Sequence, residues 1–345
     1  MFSTDAICAV MRQAAEVTYR IQNSFVAPSA LEKADKSPVT VGDLAVQTLV
    51  AARLGELTPE IPLVAEESAA SFESPEGQVI LGLVVKYLKP YLPEITPEKA
   101  IQWLSRGRND DSLRDAPCFW TLDPIDGTKG FLRREQYAIA LGFLEQGQVT
   151  QGFLALPNLT WTEQGLVEEK PVFEENVALP QRPFGSLLMA PRGQGSWISS
   201  LFGSDGTAVR IHASQQAEPS QMVILRSVES GHTNIGQIDI LAERLGVSVP
   251  PMRMDSQAKY GVLAVGRGDV YFRLLSPSRP DYKERIWDHA AGSVILEEAG
   301  GRVTDLDGKP LDFTQGSSLK KNRGVCASNG CLHDAAIQAI QALGF

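Results

Sequence analysis

The sequence predicts an α/β protein of two closely packed lobes, and three observations carry that expectation. Short apolar runs of strand length alternate with stretches of helical periodicity through both halves of the chain. The 345 residues are 43% hydrophobic, enough to bury a substantial core and too many for a disordered chain. A charged, loop-like stretch at 157–183 interrupts the pattern without a Gly/Ser-rich linker. It places a boundary near residue 160, between a first lobe at 1–160 and a second at 161–345.

In the first lobe, Ile7, Val10, Met11, Ala14, Val17 and Ile21 recur at helical spacing and predict an amphipathic helix. A second helix is expected to open at Asp43 in T-V-G-D-L-A-V-Q. Residues 61–65 then read as a short buried strand ending at Glu66-Glu67-Ser68. The segment 69–117 is an ordered helical insertion, because Thr96-Pro97-Glu98 puts proline at a first helical position and Gly107 offers a stop. Residues 119–122 form a strand that runs into 123–128, and 137–144 with 149–156 form an internal hairpin turned at Gly147. In the second lobe, strands at 222–226 and 269–274 alternate with helices at 234–246, 257–266 and 288–299, the last closed by Gly300-Gly301. Gly193-x-Gly195 is a turn signal only, since a dinucleotide-binding fingerprint needs a third glycine and a suitable preceding strand.

Composition excludes several classes. A net charge of -9 and a pI of about 5.1 oppose sequence-independent attraction to a nucleic acid polymer or an anionic membrane. No apolar run reaches the roughly 18 residues that span a bilayer, since Lys86 and Lys89 interrupt the best stretch at 79–92. The N-terminal segment has no basic start, apolar run or cleavage site of a secretory signal, and a cytoplasmic setting is expected. Four cysteines, at 8, 118, 326 and 331, form no C-x-x-C pair and read as reduced core residues.

The chemistry is concentrated in Asp123-Pro124-Ile125-Asp126-Gly127-Thr128. Two carboxylates three residues apart around a rigid turn can face one hard cation, while the amides that follow face an anion. That combination is magnesium and phosphate chemistry. Glu66 stands at a strand end, where open α/β sheets present ligand groups. Asp43 and Asp288 each stand at a helix start, where an aspartate ordinarily caps orphan amides. Trp287 with Ala290, Ala291 and Gly292 points to close packing of the later helix start, and His289 is read as structural because the surrounding donors are oxygens suited to magnesium.

Residues 38–48 (P-V-T-V-G-D-L-A-V-Q-T), 64–68, 123–128 and 287–301 resemble, in order, the motif set of the lithium-sensitive, magnesium-dependent phosphomonoesterases related to inositol monophosphatase. The resemblance implies a layered αβαβα sugar-phosphatase fold with the metal site between the lobes. By motif, it implies that Glu66, Asp123, Asp126 and Asp288 are side-chain metal ligands and that Ile125 contributes its carbonyl. Asp43 and Thr128 correspond to the pair that orients and deprotonates the attacking water. Four carboxylates would repel a bisphosphate, so roughly two or three Mg²⁺ ions must invert the local field before substrate enters. Amides of Gly127 and Thr128 are suited to the transferred phosphoryl group.

Within that superfamily the likeness is greatest to the 3'(2'),5'-bisphosphate nucleotidases, through 227–232, 255–260, 269–274 and the 69–117 insertion. It implies that His232, Ser256, Lys259, Arg273 and Asp288 contact a bisphosphorylated nucleotide, with Lys259 and Arg273 supplying charge for the 5'-phosphate. The implied reaction is hydrolysis of the 3'-phosphate of adenosine 3',5'-bisphosphate to AMP, with the sulfated form, 3'-phosphoadenosine 5'-phosphosulfate of sulfate assimilation, as a second candidate substrate. An inositol phosphate phosphatase is the alternative enzyme. A catalytically silent nucleotide-binding regulator on the same scaffold is the alternative outside enzymes, and the complete set of expected ligands and water-positioning residues opposes it.

Overall fold

The computed structural model describes residues 2–24, 30–32, 38–162, 165–168, 178–203, 207–228, 235–277 and 279–345. They stack in five layers of helix, sheet, helix, sheet and helix. The first layer is the helix pair Thr4–Gln22 and Val41–Leu57. It buries Ile7, Met11, Leu44 and Leu49 against Trp120, Leu141 and Phe153 of an eight-stranded sheet. Helices Ala258–Ala264 and Ala290–Glu298 fill the middle, with Tyr260 and Ile295 packed between Leu154 on the first sheet and Tyr271 on a five-stranded second sheet. Val270 and Phe272, alternating with Tyr271, face the outer helices Ile235–Arg244 and His333–Leu343. One strand thus serves two cores through its period of two.

The eight strands run in the order 209–211, 196–202, 184–191, 148–156, 138–145, 118–126, 63–65 and 107–108. Three of them come from beyond residue 160, so the boundary expected there does not separate the two sheets; the chain changes sheet after Ile211. The stretch expected as loop from 157 also contains an antiparallel hairpin, Leu159–Thr162 with Gly165–Glu168. The hairpin expected at Gly147 forms between Ala138–Glu145 and Gln148–Leu156. Gln146 and Gly147 both take positive φ, the two-residue turn whose twist matches its strands.

The insertion holds two α-helices, Pro75–Leu88 and Pro97–Leu104. Each starts with proline behind a hydroxyl cap, Ser74 Oγ accepting from Gly77 N–H and Thr96 Oγ1 from Lys99 N–H. All four cysteines are free thiols; Cys8 and Cys326 are buried, whereas Cys118 is half-buried and Cys331 exposed, against expectation. Among the described residues no helix is long and apolar enough to cross a membrane.

Candidate active site

The strand Cys118–Asp126 reaches the site through a β-bulge. Asp123 pairs with Ala140 and Asp126 with Ala138, so this strand carries one residue more than its neighbour between the two pairs. On a regular strand, residues three apart face opposite sides of the sheet. The extra residue restores parity, and Asp123 and Asp126 line the same cavity of about 490 Å³. Pro124 suits the bulge because it has no N–H to leave unpaired. The expected rigid turn is therefore a bulged strand end. Gly127 follows at φ 87°, where an added Cβ would meet the Ser256 Cβ at 3.0 Å, and the short helix Thr128–Leu132 begins next.

Asp43 does not open its helix. The helix begins at Val41 and Thr40 is the N-cap, with its hydroxyl accepting from Gly42 and Asp43 N–H at 3.0 and 3.4 Å. Asp43 Oδ2 reciprocates, accepting the Thr40 N–H at 2.8 Å and its hydroxyl at 2.6 Å, which completes a capping box. Asp43 Oδ1 lies 3.5 Å from the Thr128 hydroxyl, which is also 3.1 Å from the Ile125 carbonyl. Asp43 is fully buried behind Thr128, at the back of the cavity.

Glu66 follows the strand Leu63–Ala65 and lines the cavity. Gln47 fixes that turn by donating to the Glu67 carbonyl at 2.8 Å and accepting the Glu67 N–H at 2.9 Å. Asp288 also lines the cavity, in a turn just before the helix Ala290–Glu298. His289, not Asp288, occupies the N-cap position, and it makes no side-chain cap bond. The close packing expected of this helix start is present: a Cβ on Gly292 would come within 2.3 Å of the Tyr260 ring.

Crowding of carboxylates has a clear electrostatic signature. Asp123 is pushed well above the usual carboxylate range, first by burial and then by the charges of Glu66, Asp126, Asp288 and Asp43. Burial also raises Asp288 and Asp126, with Arg273 opposing it at Asp288, and Lys259 followed by Arg273 opposing it at Asp126. Asp123 Oδ1 is buried and has no hydrogen-bond partner among the described residues. An orphaned carboxylate oxygen amid four further carboxylates fits a hard divalent cation, which prefers oxygen ligands. Glu284, Asp288 and His289 also bring ligand atoms within 4.8 Å of one another, but Glu284 already accepts from Arg273 and His289 is bonded to Tyr260.

The opposite wall comes from the second sheet and the middle helices. Ser256 takes φ 67°, and its hydroxyl accepts the Ala258 N–H at 3.1 Å. That turn aims the Gln257 N–H at Asp126 Oδ2, 2.6 Å away. Lys259 and Arg273 both line the cavity. Lys259 is buried, donates to the Met254 carbonyl at 3.2 Å and lies 5.0 Å over the Tyr271 ring. Burial lowers its ammonium to about 8, with Asp126 acting against that shift. His232 lies outside the described residues.

Two contributors escape the sequence reading. Gln257 ties the walls together, donating to the Trp287 carbonyl at 2.9 Å and accepting the Gly292 N–H at 3.1 Å. Its only signal is a long polar side chain among small residues at the start of a buried helix. Glu284 pairs with Arg273, Nη2 to Oε2, at 2.6 Å, and nothing in its local sequence distinguishes it from a surface acid.

Comparison with known proteins gives the family and the fold. The chain is 35% identical over 347 residues to a 3'(2'),5'-bisphosphate nucleotidase of Schizosaccharomyces pombe, with 97% of this chain and 94% of that protein covered. Among solved structures it resembles the inositol monophosphatase of Thermotoga maritima, at TM-score 0.64 and 18% identity, with 99% and 97% of the two chains covered. It also resembles an inositol monophosphatase/NADP phosphatase complexed with NADP and Ca²⁺, at TM-score 0.63 and 17% identity, with 99% and 95% covered. The family model described as the inositol monophosphatase family matches residues 4–344, and with the layered fold and the carboxylate-lined cavity already in place, the chain belongs to that family.

Proposed function

We propose that the chain hydrolyses the 3'-phosphate of adenosine 3',5'-bisphosphate to AMP, with Mg²⁺ as its cofactor. The observation that carries the chemistry is the carboxylate-lined cavity in which Asp123 Oδ1 is buried without a partner among the described residues. The substrate class rests on the identity to the Schizosaccharomyces pombe nucleotidase over nearly the whole chain.

Glu66, Asp123, Asp126, Asp288 and the Ile125 carbonyl would hold about two or three cations. Bound there, the cations supply positive charge to the phosphoryl oxygens and acidify water. Thr128 takes a proton from the attacking water as its own hydroxyl proton passes to Asp43 Oδ1, while Thr40 holds Asp43 Oδ2 in place. The new P–O bond forms as the bond to the 3'-oxygen breaks, and that oxygen is protonated from solvent. Amides of Gly127 and Thr128 steady the transferred phosphoryl group. Ser256, Lys259, Arg273 and His232 serve the nucleotide, with Arg273 nearest in character to a phosphate-binding fork.

The test is phosphate release from adenosine 3',5'-bisphosphate, inositol 1-phosphate and inositol 1,4-bisphosphate, each with Mg²⁺ and with chelator. The bisphosphate nucleotide should give the highest kcat/KM and chelator should abolish it. An inositol substrate turned over as well or better sinks the nucleotidase assignment.

A further inference from the structure

A buried polar chain runs behind Arg273. The Tyr260 hydroxyl is 2.8 Å from His289 Nδ1, and His289 Nε2 is 3.2 Å from Glu284 Oε2. Glu284 can only accept in its ionised form, so His289 carries its proton on Nε2 and Nδ1 accepts from the tyrosine. Glu284 Oε2 also accepts from Arg273 Nε at 3.2 Å and Nη2 at 2.6 Å. Tyr260, His289 and Glu284 are 1%, 1% and 4% exposed, whereas Arg273 lines the cavity. Burial acts to raise the Glu284 carboxyl, but Arg273 and His289 outweigh it and hold the group at about 2.

This geometry leaves Arg273 committed along one edge. Its Nη1 has no partner among the described residues. Asp288 Oδ2 is 3.7 Å from Nη2, so Glu284 at 2.6 Å, not Asp288, is the carboxylate that holds the guanidinium. A buried ion pair is weak evidence of stability, because desolvation offsets most of its attraction. Its stronger consequence is order: an arginine already held through Nε and Nη2 loses less side-chain freedom when another group binds Nη1.

We infer that Glu284, backed by His289 and Tyr260, is a positioning residue that fixes the Arg273 guanidinium so that its open edge receives the second phosphate, the one that is not hydrolysed. Glu284 touches neither the reacting atoms nor that phosphate. The inference rests on the nucleotide reading and adds to it the residue that sets the preference for a doubly phosphorylated substrate.

The test compares kcat/KM for adenosine 3',5'-bisphosphate with that for adenosine 3'-phosphate, which lacks the second group. Glu284→Gln, nearly equal in volume, should lower the ratio about tenfold, chiefly through KM for the bisphosphate. Arg273→Ala should lower it at least as far, and the double variant no further than Arg273→Ala alone. A merely structural role would reduce both substrates together. If Glu284→Gln does not fold, Tyr260→Phe should move the ratio in the same direction by about threefold. AMP against adenosine binding supplies the same comparison without turnover. An unchanged ratio in a folded Glu284→Gln protein overturns the inference with the nucleotidase reading intact, whereas a native enzyme inactive on both nucleotides overturns that reading and the inference with it.

Discussion

Asp43 and Thr128 meet across two chain segments that are 85 residues apart, with Asp43 Oδ1 3.5 Å from the Thr128 hydroxyl. The contact is oriented because Thr40 occupies the other oxygen of the same carboxylate through its N–H and its hydroxyl. Helix capping and site geometry are therefore one device. A carboxylate that satisfies the start of Val41–Leu57 is also locked in rotamer toward Thr128.

Replacing Thr128 with Val should lower kcat by about 10²-fold or more, the range of a lost proton-transfer group, with KM little changed. Thr128→Ser retains the hydroxyl and should keep most of the rate. Asp43→Asn should also cost kcat while leaving Tm near native, because its carbonyl oxygen can keep both Thr40 donors and the amide nitrogen left toward Thr128 cannot accept the hydroxyl proton. Steady-state kinetics with a melting curve for each variant separate these effects. Near-native turnover by Thr128→Val removes the hydroxyl from the mechanism.

Asp126→Asn is the cleanest probe of the cation site. Its Oδ2 accepts the Gln257 N–H at 2.6 Å, a bond that an asparagine carbonyl can keep. The fold should persist, with Tm within a few degrees of the native protein, while Mg²⁺-dependent phosphate release falls below about 1% of native. Isothermal titration with Mg²⁺ alone should show weakened binding. Retained activity in this variant would remove the metal-site argument.

The carboxylates are legible in the sequence because their residue types and spacing are unusual on their own, and the four expected as metal ligands line one cavity. The bulge that makes the spacing work is not legible, since it exists only relative to the register of Ala138–Glu145. Asp43 is expected at a helix start and is found at the third helical position, because Thr40 takes the cap and Asp43 closes the capping box, a T-x-x-D spacing that the sequence does carry. The boundary near 160 follows a real change in composition, yet Phe184–Pro191 pairs back onto Gln148–Leu156 across it. Non-local pairing of that kind leaves no local signature. Glu284 and Gln257 are missed for the same reason, their partners being 11 and 131 residues away in the chain.

Proton linkage gives a prediction with a definite sign. Burial and neighbouring carboxylates raise Asp123, and burial raises Asp288, so the metal-free fold holds protons that the unfolded chain has already released. From the ordinary carboxylate range up to those raised values, these two groups make the metal-free fold less stable as pH increases. Cations need the deprotonated form, so their binding releases protons and tightens as pH rises. The gain in Tm on adding saturating Mg²⁺ should therefore be small near pH 5 and larger near pH 8. A gain that is flat or shrinks over that interval contradicts the linkage.

Gly152 tests how tightly the fold fixes Asp288. The helix Ala290–Glu298 lies on the strand Gln148–Leu156 so closely that a Cβ on Gly152 would meet Val294 Cγ1 at 2.5 Å and the Ala291 carbonyl oxygen at 2.6 Å. A backbone oxygen cannot swing aside, so Gly152→Ala must push the helix start outward, and Asp288 stands two residues before that start. Overpacking of this kind costs about 1–3 kcal/mol. It should also raise the Mg²⁺ concentration for half-maximal activity, because one of the expected ligands moves relative to Asp123 and Asp126. Gly82→Ala is the control: Gly82 lies within Pro75–Leu88 with nothing within 4 Å of the new Cβ, and alanine there should stabilise by about 0.5–1 kcal/mol without touching the metal dependence. Melting curves and Mg²⁺ titrations of both variants should therefore move in opposite directions for stability, and only Gly152→Ala should move the titration midpoint. If Gly152→Ala loses stability but keeps the native midpoint, the helix start yields without carrying Asp288 with it, and the packing at Gly152 serves the core alone.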